Sequence, residues 1–250
     1  MIAPEVFTLP DPARLVRAAA EQVVQTLRGA QAERETASLV LTGGSTPRPL
    51  YGLLATDYAH AVDWQRVRVF FSDERFVPHD HAASNYRLAK ETLLDPLGLP
   101  PAHVHPFPTD QPSPEAAARA YERALRAVFD DAPAFDLVLL GMGSDGHVAS
   151  LFPGGPEVGE RDRWAVVAEA PAGAEVRERL SLTLPVLSAG RTVLFLVSGA
   201  EKREAVRAVF ESEAETPPAE RVGARERLLW FLDAAAYDVD AASSAGTSVS

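Results

Sequence analysis

The sequence predicts an α/β fold, an open and mostly parallel sheet with helices on both faces. Three observations carry this. Apolar runs at 38–41, 67–71, 135–140, 192–197 and 228–232 alternate with segments of helical periodicity, the pattern of strands joined by crossover helices. The runs are almost continuously apolar, as strands covered on both faces must be. Glycine-rich turns directly follow several of them, and in open α/β sheets ligands bind beyond the carboxyl ends of the strands.

The elements follow in order. Asp11 can cap a helix that Pro12 begins, with Leu15, Ala19, Val23 and Leu27 on one face and an end near Arg28. A strand at 38–41 leads to a helix over 47–58, and a strand at 67–71 to a helix over 84–94. The proline-rich stretch 96–112 reads as an ordered surface loop. A helix over 114–129 carries Ala118, Tyr121, Leu125 and Val128 on one face. Strands follow at 135–140, 164–168, 180–184 and 192–197, then a helix over 200–210 and a last strand at 228–232. Residues 1–238 read as one domain. The small, polar tail 239–250 is expected to be disordered.

Composition narrows the function. The 250 residues carry a net charge of −11, which disfavours nucleic acid and anionic membranes as partners. There is no cysteine, hence no disulfide framework, thiolate metal site or cysteine nucleophile. No apolar run approaches the roughly 20 residues of a membrane span. Met1-Ile2-Ala3-Pro4-Glu5 lacks the basic and apolar regions of a secretory signal, so a cytoplasmic location is expected.

Chemistry concentrates at four strand ends. After 135–140 comes Gly141-Met142-Gly143-Ser144-Asp145-Gly146-His147, followed by Val148-Ala149-Ser150-Leu151-Phe152-Pro153-Gly154. It contains a literal G-x-G-x-x-G, with Glu169 near the end of the next strand, as a dinucleotide site would. Asp145 would repel a pyrophosphate there, and Pro153 to Pro156 end any following helix too early for a Rossmann crossover. His147 suits proton transfer near neutral pH; the plain alternative is a buried histidine bonded to backbone.

Thr42-Gly43-Gly44-Ser45-Thr46-Pro47 offers free N–H groups and hydroxyls at a helix start, an anion site or an ordinary capped turn. Ser72-Asp73-Glu74-Arg75 can serve chemistry, anion binding or merely solvation, and Ser84-Asn85 reads as a helix cap. Ser198-Gly199-Ala200-Glu201-Lys202 places a lysine against the dipole of a helix's first turn, where a bound anion would explain it better than stability does. The pairs His79/His81 and His103/His105 lack an obvious third ligand, so no metal is expected. Together these groups suit a phosphorylated substrate with an uncharged ring, and proton-transfer chemistry upon it.

This set, with Gly199-Ala200-Glu201-Lys202 and the ending Ala149-Ser150-Leu151-Phe152-Pro153-Gly154, resembles the 6-phosphogluconolactonases over about residues 5–237. The resemblance implies a Rossmann-like three-layer sandwich of the NagB/RpiA/CoA-transferase kind. It implies hydrolysis of 6-phospho-D-glucono-1,5-lactone to 6-phospho-D-gluconate in the oxidative pentose phosphate pathway. His147 would be the general base, oriented by Asp145, with N–H groups of the glycine loop supporting the oxyanion. Gly43, Gly44, Ser45, Thr46, Arg75 and Lys202 would hold the phosphate, Arg179 would add charge, and Asp73 would contact sugar hydroxyls.

Neither a cofactor nor a metal is implied. The partner is the sugar-phosphate lactone, bound by a monomer or small homo-oligomer. The sister glucosamine-6-phosphate deaminases are the rival reading; their matching loop carries a glutamate where this chain has Phe152. A non-catalytic sugar-phosphate sensor is the third reading. Two departures from the family pattern are Ser181 in Arg179-Leu180-Ser181-Leu182-Thr183 and Glu220 in Pro218-Ala219-Glu220. A carboxylate near a phosphorylated substrate is unfavourable, so either Glu220 faces solvent or its segment lies outside the site.

Overall fold

The computed structural model describes residues 2–211 and 217–237; the predicted tail 239–250 lies outside them. The described strands are β1 (Pro4–Leu9), β2 (Ala37–Leu41), β3 (Val67–Phe71), β4 (Asp73–Arg75), β5 (Val104–His105), β6 (Leu137–Leu140), β7 (Ala165–Glu169), β8 (Glu178–Leu182), β9 (Thr192–Val197) and β10 (Arg227–Asp233). Seven of them make one parallel sheet in the order β1-β10-β9-β6-β2-β3-β5. Every residue of β2, β6 and β9 is buried. Successive side chains point to opposite faces, so both faces of the sheet's centre are covered, as the apolar runs predict.

The helices are α1 (Pro12–Glu33), α2 (Pro47–Ala55), α3 (Asn85–Ala89), α4 (Asp95–Leu97), α5 (Pro114–Phe129), α6 (Leu184–Leu187) and α7 (Arg203–Glu211). Asp11 caps α1 through the Arg14 N–H at 2.8 Å, and Leu15, Ala19, Val23 and Leu27 are fully buried as their spacing predicts. The helix runs on to Glu33, past the expected end. Among the described residues no helix is long and apolar enough to cross a membrane.

The structure differs from the sequence reading in several places. The edge strand β1 was not predicted; its residues are mostly exposed and lack the apolar run of a central strand. The loop 96–112 contains the other edge strand, β5. Residues 85–97 form one irregular helix, α3, a π turn (Lys90–Leu94) and α4, closed by Gly98 at φ +61°. Residues 200–202 are a 3-10 turn ahead of α7, so Lys202 precedes the regular helix rather than lying in its first turn. No helix follows β6 directly; the next helical element is a 3-10 turn at Pro156–Gly159.

The main correction concerns β4, β7 and β8. They form a separate antiparallel sheet in the order β4-β8-β7. It carries Asp73 and Arg75 on one strand and Arg179 on the next.

The topology positions the site. From β2 the chain steps outward to β3 and β5, then returns to β6 on the other side of β2 and continues to β9 and β10. The reversal between β2 and β6 is the switch point at which open α/β sheets form a crevice. The turns after β2 and β6 flank it, and those after β3 and β9 lie one strand further out.

Candidate active site

A cleft of about 470 Å³ opens at this switch point, within the usual range for a small-molecule site. All ten residues predicted for the site line it. The residues that hold those ten in place were largely missed.

The turn after β2 is shaped from beneath. Tyr51 of α2 is fully buried, and its hydroxyl accepts from Thr42 N (3.1 Å) and donates to Thr42 O (2.6 Å). Burial pushes its pKa up, so it stays a neutral donor and acceptor. Tyr121 of α5 does the same for Phe71 at the end of β3. Gly44 adopts φ +102°, which glycine alone reaches without strain. A Cβ on Gly43 would fall 1.9 Å from Asn85 Oδ1. Thr46 occupies the cap position of α2 without a side-chain cap bond. Among the described residues no protein acceptor takes the N–H groups of residues 43–46, so they are available to an anion.

The cations form a second wall. Arg75 and Arg179 are register partners across β4 and β8. Like charges directly opposite destabilise an antiparallel pair. Burial, and then the Arg75 charge, push the Arg179 pKa down, and its buried Nε has no partner. Arg75 donates to the Ala83 carbonyl. Lys202 is delivered by the turn after β9, where buried Asp233 accepts from Ser198 Oγ, Gly199 N (3.1 Å) and Ala236 N (2.8 Å). Among the described residues no carboxylate is ion-paired to Arg75, Arg179 or Lys202.

His147 and Asp145, on the β6 loop, line the same cleft. His147 Nδ1 lies 2.6 Å from Asp145 Oδ1, which also accepts the His147 N–H at 3.1 Å. Partial burial raises the Asp145 pKa, but the bonds and charge of His147 outweigh it and leave the carboxyl at about 2. Asp145 is therefore ionised at neutral pH, so Nδ1 carries the proton and Nε2 is the basic nitrogen. A Cβ on Gly143 would overlap His147 Nδ1 and Asp145 Oδ1, so only glycine permits the pair. The Phe152 ring lies 4.7 Å from the His147 ring.

Two of the predicted roles fall on groups that already have partners. Gly143 N–H is bound to His147 O and Gly146 N–H to Gly143 O, so neither amide is free for an oxyanion. Asp73 lines the cleft but is buried, and its carboxylate already accepts from Ser72 Oγ (3.2 Å), Asn85 Nδ2 (3.1 Å) and Ser150 Oγ (2.7 Å).

Neighbouring motifs divide by role. Glu74 does not line the cleft. It accepts from the N–H groups of Arg75, Asn85 and Tyr86 and from Ser84 Oγ, anchoring the start of α3, and burial raises its pKa despite those donors. Ser84 caps α3 as expected; Asn85, read only as part of that cap, lies in the cleft wall. Glu220 faces solvent, while Ala219 N–H binds the Gly146 carbonyl at 3.1 Å. The four paired histidines lie elsewhere: His79 binds the Phe107 carbonyl, His81 accepts from Ala83 N–H, and His105 stacks on Phe70 beside His103.

Residues 10–230 match the family model described as glucosamine-6-phosphate isomerases/6-phosphogluconolactonase. The chain belongs to this family. It is 39% identical over 238 residues to a 6-phosphogluconolactonase of Synechocystis sp., covering 93% of this chain and 96% of that one. The solved 6-phosphogluconolactonase of Trypanosoma cruzi superposes with a TM-score of 0.85 at 29% identity, covering 94% of this chain and 96% of that one. A monomeric glucosamine-6-phosphate deaminase shares the fold, with a TM-score of 0.78 at 21% identity and coverages of 93% and 98%. The fold alone therefore does not separate the two chemistries; the site must.

Proposed function

We propose that this protein hydrolyses 6-phospho-D-glucono-1,5-lactone to 6-phospho-D-gluconate, the lactonase step of the oxidative pentose phosphate pathway, with His147 as general base. The carrying observation is the His147–Asp145 pair in one cleft with Arg75, Arg179 and Lys202, none of them ion-paired to a carboxylate among the described residues. Nε2 takes a proton from water as its oxygen attacks the lactone carbonyl. The tetrahedral intermediate collapses, the bond from the carbonyl carbon to the ring oxygen breaks, and the imidazolium returns its proton to that oxygen. Asp145 keeps Nδ1 protonated and stabilises the transient positive charge on the ring.

The phosphate is held by the free N–H groups of Gly43, Gly44, Ser45 and Thr46 together with Arg75, Arg179 and Lys202. The same cationic wall opposes the oxyanion, since the loop amides of Gly143 and Gly146 are engaged. Phe152 favours this reading over ring-opening deamination, because an apolar ring beside the histidine cannot carry a proton.

His147→Ala is expected to lower kcat on fresh lactone about 10²- to 10⁴-fold while leaving the thermal unfolding curve in place. Near-wild-type turnover in this variant would remove the base assignment. Ammonia release from glucosamine 6-phosphate by the wild-type protein would support the deaminase instead.

A further inference from the structure

We infer that Ser150 is a positioning residue: gripped by Asp73 and Ser181, it holds the loop that carries His147. The inference rests on His147 acting as the base and adds what keeps that base in place.

Ser150 follows His147 by three residues and is almost fully buried. Its hydroxyl donates to Asp73 Oδ2 at 2.7 Å, and its N–H donates to Ser181 Oγ at 3.2 Å. Asp73 and Ser181 are register partners across β4 and β8. One cross-strand pair of the small sheet thus holds the hydroxyl and the N–H of one loop residue.

The loop needs such a hold. Ala149, between His147 and Ser150, adopts φ +50°, a region that residues with a Cβ rarely occupy. Such a conformation persists only where the surroundings over-determine it. Here Leu151 N–H closes on Val148 O at 2.9 Å, both side chains are fully buried, and Ser150 is tied on the sheet side. Asp73 is itself locked through Asn85, whose amide packs on Gly43 in the phosphate turn. Phosphate turn, cationic strand and base loop therefore share one buried network. On this inference Asp73, with its Oδ2 accepting from Ser150, acts on the reaction through Ser150.

The test is a double-mutant cycle of Ser150→Ala and Asp73→Asn, read by kcat, KM, thermal unfolding and the imidazole NMR resonances of His147. Ser150→Ala should lower kcat about tenfold through loop misplacement. KM should stay within about twofold, the mark of a loss confined to the transition state. The His147 resonances should move while unfolding stays cooperative. Asp73→Asn should do the same, and the double variant should be no worse than the poorer single one.

Multiplying losses, or a loss in Asp73→Asn borne by KM, would mean that Asp73 meets the substrate directly, and would overturn the inference. Unchanged kcat with unchanged resonances in Ser150→Ala would also overturn it. Shifted resonances with wild-type kcat would keep the tether and remove His147 as base. Should Asp73→Asn fail to fold, Ser181→Ala, which removes the acceptor of the Ser150 N–H together with the Ser181 hydroxyl's own bond to the Leu182 carbonyl but leaves the Ser150–Asp73 bond, should shift kcat and the resonances in the same direction by less. Wild-type values there would count against the grip.

Discussion

The two ends of the parallel sheet treat their cations in opposite ways. At the amino end, Arg34 meets Asp136 at 2.6 Å, Arg191 meets Glu226, and Arg227 meets Glu5 at 2.8 Å. Asp136 is buried and also accepts from Ser38 N (2.8 Å) and Ser38 Oγ (2.9 Å), tying β2 to β6. At the carboxyl end, Arg75, Arg179 and Lys202 line one cleft with no ion-paired carboxylate among the described residues. In a chain of net charge −11 partners are plentiful. On the proposed function, cations left without them stand where the substrate's charge completes the site. On that reading the amino end serves stability and the carboxyl end binding.

Arg179→Gln should break the carboxyl end most. Losing a half-buried cation that faces an anionic substrate should lower kcat/KM about 10²-fold, chiefly through KM. Stability should hold or rise, because the repulsion with Arg75 is relieved. Inorganic phosphate should raise the melting temperature of the wild type and should do so far less in this variant. A large drop in melting temperature with intact KM would place Arg179 with the structural arginines instead.

Asp136→Asn should show the reverse. It should destabilise by about 2–4 kcal/mol in urea unfolding, since it weakens a buried charge with three donors. Activity per folded molecule should be unchanged. A selective activity loss would couple the two ends and weaken the contrast.

The smallest effect concerns pH. Asp145 has a folded pKa of about 2 against an ordinary 3.8. A depressed carboxyl pKa stabilises above the ordinary value and loses that contribution as pH falls towards the folded one. The group is partly exposed, so the contribution should stay under about 1 kcal/mol. Comparing wild type with Asp145→Asn by chemical unfolding between pH 5 and pH 2 should show their stability difference shrinking as pH falls. A constant difference would mean that the pair does not stabilise the folded loop.

Much of the site was legible because its groups follow apolar runs directly. A run that must be a central strand places its next few residues at the carboxyl edge, so the turns after β2, β3, β6 and β9 could be set beside one crevice in advance. The antiparallel sheet was not legible as a unit. Its strand β4 is only three residues long and charged, which reads equally as a solvated turn. Ser150 and Asp73 are 77 residues apart, and neither periodicity nor local spacing joins them.

Apolar patterning and turn chemistry, which are local, determined from the sequence alone the parallel core, the four loaded strand ends, and the His147 and Asp145 candidates. The tertiary structure alone decided which groups are spent and which are free. It committed the amides of Gly143 and Gly146 to the loop, buried Asp73 against Ser150, turned Glu220 to solvent, and left Arg75, Arg179 and Lys202 without ion-paired carboxylates among the described residues. Whether a polar group is free depends on what long-range packing brings within about 3 Å of it, and a linear pattern carries no such distance.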